Sequence, residues 1–130
     1  MSIKTIKAEI TELKARIWRH RQYLAHTQKQ LALIYRATPA PAHRSRTRLQ
    51  TLRAAIDRDS RRLEGLYQAL ITAIDSQPTP QIKELLTRRY INDQPFAEIA
   101  DAMGYDLRWV YRLHARGLGL AKRIKNNSEP

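Results

Sequence analysis

The chain has 130 residues, enough for one ordinary domain or for a small globular unit joined to an extended helical arm. Lys and Arg number 24 against 12 Asp and Glu, and the formal charge of +12 calls for an acidic partner, nucleic acid first. No stretch approaches the ~18 apolar residues of a spanning helix, and the absence of cysteine excludes disulfides, thiolate catalysis and cysteine-based zinc sites.

The first residues, Met1-Ser2-Ile3-Lys4, run into charged side chains every third or fourth position, unlike a signal peptide, so the cytosol is the expected compartment. From Ile3 to about Tyr35 the apolar residues fall on a seven-residue grid. Ile3, Ile10, Ile17, Leu24 and Leu31 form one row, and Ile6, Leu13, His20, Thr27 and Ile34 form the next. That is a coiled-coil seam with two polar members. A helix of this length extends about 50 Å at 1.5 Å per residue, too long to be buried in a domain this small.

Pro39 and Pro41, within the stretch from Ala37 to Arg44, end that helix, and Ser45 is a candidate N-cap for a second one. Its rows read Leu49, Ile56, Leu63, Leu70 and Leu52, Asp59, Leu66, Ala73. Two such helices with a short connection predict an antiparallel hairpin over residues 1–76. With a pivot near Ala40, a His20 to Asp59 contact is expected to pin the register, against the alternative that both side chains reach solvent at the seam's edge. A seam of two helices leaves each half exposed, so self-association to a homodimer is also expected. Residues 1–76 carry 15 basic and 6 acidic side chains, while residues 77–130 carry 9 and 6. Arg44, Arg46, Arg48, Arg53, Arg58, Arg61 and Arg62 crowd the second helix, either near phosphate or as a solvated face.

Asp75-Ser76-Gln77-Pro78-Thr79-Pro80 marks a boundary, after which Gln81 to Ile91 reads as an amphipathic helix closed by the turn Asn92-Asp93-Gln94. Pro95 suits the first turn of the next helix. Phe96 to Met103 then forms a short helix, Gly104-Tyr105 a turn, and Asp106 the cap of a helix beginning at Leu107. Ala100 sits where two helices cross steeply, with Ile99, Met103, Tyr105, Val110 and Leu113 at the packing offsets of a helix-turn-helix.

With Val110 and Leu113 inward, the 3.6-residue period turns Leu107, Arg108, Tyr111, Arg112, Ala115 and Arg116 outward. Arg108 and Arg112 share a face from which either reaches guanine O6 and N7, Leu107 and Ala115 suit thymine methyl groups, and Tyr111 suits phosphate or sugar. Trp109 either wedges against the preceding helices or meets the DNA backbone. Arg88 and Arg89 either hold phosphate or form a solvated pair. A structural role fits His114 better than phosphate contact, and Gly117 and Gly119 are poor helix formers near the helix end. The tail from Lys122 to Pro130 is expected to be mobile.

The runs Leu86-Thr87-Arg88-Arg89-Tyr90-Ile91, Phe96-Ala97-Glu98-Ile99-Ala100-Asp101-Ala102-Met103-Gly104-Tyr105 and Val110-Tyr111-Arg112-Leu113-His114-Ala115-Arg116-Gly117-Leu118 resemble the fourth conserved region of bacterial sigma factors. They are still more similar to small phage-encoded regulators built on that region, the RinA and ArpU type of late transcription activators. The resemblance covers about the last 45 residues of the chain. The periodicities and breaks predict an all-α protein with the helix-turn-helix domain at 77–124 and a tail at 125–130, and the resemblance implies that it binds a promoter or operator in the bacterial host cell, with host RNA polymerase as a candidate partner. Recognition roles pass to Arg108, Tyr111 and Arg112. A stand-alone sigma factor is not expected, because no length remains for a promoter-melting region. A phage DNA-packaging subunit of the small-terminase kind is the alternative. RNA is disfavoured by the absence of an aromatic stacking platform. Catalysis, metal binding and a cofactor are not expected, since His20, His26, His43 and His114 are scattered without ligand spacing and no glycine-rich phosphate loop exists.

Overall fold

The computed structural model describes residues 1–37 and 43–119; the expected Pro39-Pro41 connection and the tail from Lys122 lie outside the described residues. The fold is all-α, with no strand among the described residues. Its helices are α1 (Ile3–Ala37), α2 (His43–Asp75), α3 (Pro80–Leu86), α4 (Phe96–Met103) and α5 (Leu107–Gly117), with a π-helical turn over Thr87–Ile91 between α3 and α4. No described helix is long and apolar enough to cross a membrane. The described residues fall into two compact units, one within residues 8–67 and the other of residues 1–7 with 68–119.

The 8–67 unit follows the seven-residue grid except at Ile34, which is exposed. Ile10, Leu13, Ile17, Leu49 and Leu66 are buried, and Leu24, Leu31, Leu52, Ile56 and Leu63 are half-buried. Residues early in α1 pair with residues late in α2: Arg62 binds Glu9 at 2.9 Å, and Arg16 binds both carboxylate oxygens of Asp59 at 2.8 Å. Asp59 is only 4% exposed, and the hydrogen-bonded Arg16 guanidinium holds its carboxyl below the ordinary aspartate range. At the expected His20 to Asp59 contact, His20 acts on the Asp59 carboxylate only through its charge, and the hydrogen bonds come from Arg16, a turn earlier on the same helix face, where a longer side chain brings two donors in a planar fork. His20 Nδ1 is buried with no hydrogen-bond partner among the described residues. Because α2 begins at His43, Ser45 lies in its first turn and is not its cap.

In the other unit, Ile3 and Ile6 from the start of α1 are buried together with Leu70, Ile74, Ile82, Leu85 and Leu86. Thr79 caps α3 by accepting from the Ile82 amide at 3.3 Å, and Pro80 occupies the first helical position, where its missing N–H costs no hydrogen bond. The helix expected from Gln81 to Ile91 changes pitch at Thr87. Thr87 Oγ1 donates to the Lys83 carbonyl at 2.7 Å, and Asn92 N–H bonds the Thr87 carbonyl five residues back. Threonine back-bonding bends helices and π turns widen them, which brings Tyr90 inward as a buried residue. Pro95 precedes α4 in extended conformation and does not enter its first turn.

Candidate nucleic-acid interface

Helix α4 ends at Gly104, whose φ of 71° is left-handed and whose N–H returns to the Ala100 and Asp101 carbonyls. A side chain at that φ strains against the following carbonyl, so glycine is the residue the turn requires. Two residues later the Asp106 carboxylate accepts from the Trp109 amide at 2.9 Å and caps α5. The turn and cap thus fall at the residues expected from the sequence.

One face of α5 is locked. Val110, Leu113 and Gly117 are buried where the helix packs on α3 and α4, alongside buried Ile99 and Ala100. The opposite face presents Leu107, Arg108, Tyr111, Arg112 and Arg116 exposed, with Ala115 half-buried among them. Arg108, Arg112 and Arg116 form no ion pair with any described residue. Trp109 is 38% exposed and meets Tyr105 edge-on, which gives it a packing contact while part of its ring stays accessible.

Arg88 and Arg89 stand apart from this group. Arg88 binds Glu84 at 3.0 Å and Gln94 Oε1 at 3.3 Å, while Arg89 donates to the Gln94 carbonyl and lies 4.0 Å over the Phe96 ring. Both therefore brace the connection between the π turn and α4.

Sequence reasoning did not find the aromatic cluster beneath the outward face. Phe96 meets Tyr111 and His114 edge-on, with ring centroids 5.1 and 4.9 Å away, and Tyr90 Oη bonds His114 Nε2 at 2.7 Å. Tyr90 lies on the apolar face of its helix in the sequence, but nothing there pairs it with a histidine 24 residues on. Close by, Lys7 Nζ donates to the Tyr90 carbonyl and pairs with Asp93 at 2.6 Å, and Asp93 takes a positive φ of 56°. Among the described residues no group of His, Asp and Glu is arranged to hold a metal ion.

No family model, curated protein or solved structure matches the chain.

Burial, and then the charges of Lys4 and Arg89, push the His114 imidazole down to about 4, so it is neutral at pH 7. The unfolded chain takes up that proton below about pH 6.5, whereas the native chain does so only near 4. Stability is therefore on its plateau above pH 6.5 and declines as pH falls across the interval, by about 1–2 kcal/mol after discounting for partial solvent access. In urea unfolding at pH 7 and 4.5, His114→Gln, which keeps a polar partner for Tyr90 but does not titrate, is expected to flatten that slope. An undiminished slope in the variant would assign it to other groups.

Proposed function

We propose that the chain is a sequence-specific double-stranded DNA-binding transcription regulator in which a helical hairpin precedes a helix-turn-helix and α5 enters the major groove. The observation that carries this reading is the two-sidedness of α5. Its buried face and capped start hold the helix rigidly, while three arginines without acidic partners among the described residues project from the other side of a chain with net charge +12. Pre-organised donors on a rigid element are what base reading requires, since each bidentate arginine to guanine contributes only about 1–3 kcal/mol of discrimination.

In this reading Arg108 and Arg112 read bases, and Leu107 and Ala115 lie against thymine methyls. Tyr111, braced by Phe96, and Arg116 reach the backbone. Trp109 borders the interface, and Arg88 and Arg89 serve phosphate only by giving up their intrachain contacts. One such helix covers few base pairs, so a homodimer joined through the hairpin supplies a second half-site about 34 Å away. The resemblance to phage late activators supports a setting in the bacterial cytoplasm, at a promoter or operator, with host RNA polymerase as a further partner.

The test is duplex binding by the full-length protein. It is expected to bind random double-stranded DNA at low ionic strength, to lose affinity steeply with salt, and to enrich a preferred site from a randomised pool. Failure to bind duplex DNA at low salt sinks the proposal.

A further inference from the structure

Away from its apolar seam, α1 carries a second ordered face. Trp18, Ala25 and Ala32 recur every seven residues and so form one row along the helix, and all three are exposed, Trp18 by 63%. The helical period sets Lys14 and Arg21 along one side of this row and Lys29 along the other, continued by Arg36. None of these four cations has an ion-pair partner among the described residues, and α1 contains no acidic residue after Glu12.

An apolar row bordered on both sides by like charge has the layout of a coiled-coil seam that lacks its second strand. We propose that this face docks an amphipathic helix of a partner protein whose own apolar row is bordered by Asp and Glu. The two alanines let the partner backbone approach closely, and Trp18 is the large apolar anchor of the kind that dominates interface energetics. A second copy of this chain is a poor occupant, because it meets cations with cations whether it runs parallel or antiparallel. The homodimer proposed above therefore uses other surfaces of the 8–67 unit. A DNA backbone satisfies the cations but leaves the indole and the alanine row against a polar surface. The inference does not depend on the DNA reading of α5, and the two can fail separately.

The experiment titrates full-length protein with a synthetic helical peptide of about three heptads, bearing leucine in its seam and glutamate on both flanks, and with the same peptide carrying lysine on the flanks. Binding to the glutamate peptide is expected, with the lysine peptide at least about tenfold weaker. Trp18→Ala is expected to weaken the glutamate peptide about tenfold. The combined variant Lys14→Glu, Arg21→Glu, Lys29→Glu is expected to prefer the lysine peptide, with helix content unchanged by circular dichroism. The same charge change on the other helix, at Arg53, Arg58 and Arg61, is expected to leave the preference intact. Four results would overturn the proposal: equal binding of both peptides, a triple variant that keeps the original preference, an equal effect from the α2 reversal, or a Trp18→Ala protein that loses self-association or duplex affinity and keeps the peptide.

Discussion

Arg108→Ala and Arg112→Ala are each expected to weaken binding to the selected duplex about 10- to 100-fold, and to relax sequence preference at one base position. Both side chains are exposed on the same face of α5 and have no ion pair among the described residues to lose, so their removal leaves the helix in place. Random duplexes are the control. A phosphate-binding arginine reduces affinity for every sequence alike and lowers the salt slope by about one, whereas a base-reading arginine costs mainly the preferred site. Fluorescence anisotropy against selected and scrambled duplexes, with circular dichroism as a check on α5, separates the two. If both variants kept wild-type affinity and the wild-type base preference, α5 would not be the reading element.

The stretch from Phe96 to Leu113 was legible in the sequence because its constraints are local. The left-handed turn at Gly104, the cap at Asp106 and the inward spacing of Val110 and Leu113 each depend on residues only a few positions apart. The long helices were legible only in part. A seven-residue grid states which residues face inward but not what they face, so Ile3 and Ile6 read as hairpin seam although they belong to the compact unit built around α3 and α5. The same gap explains the register. Arg16 and His20 lie four residues apart on one face, and spacing does not say which of them reaches Asp59. The longer, forked side chain does so with two hydrogen bonds. Tyr90 and His114 meet only after the π turn widens the helix, and a back-bonding threonine leaves no periodic mark in a sequence.

Gly117 reads in the sequence as a weak helix former near the end of α5, yet it is buried at the point where α5 crosses α3. A Cβ built there lies 2.8 Å from Ile82 Cγ2 and 3.2 Å from Leu86 Cδ1. Ile82 is β-branched and helical, hence stiff at χ1, and both neighbours are almost fully buried, so neither side chain swings away freely. In an open helix, glycine to alanine gains about 1 kcal/mol; here overpacking, at about 1–3 kcal/mol for excess methylenes in a filled core, outweighs that gain. Gly117→Val adds two further methyl groups and a weaker helix propensity, and is expected to lower stability by about 2–3 kcal/mol, with Gly117→Ala losing less. The two tryptophans fall one in each compact unit, Trp18 in residues 8–67 and Trp109 in the other. A Trp18→Phe background therefore makes fluorescence report on the unit that contains α5. Thermal unfolding in that background is expected to shift down by about 10 °C or more for Gly117→Val, at about 4–8 °C per kcal/mol for a unit of this size. A Gly117→Val protein as stable as its parent would mean that α5 does not approach α3 as closely as the absent side chain allows, and the rigid seating of the outward arginines would need another source.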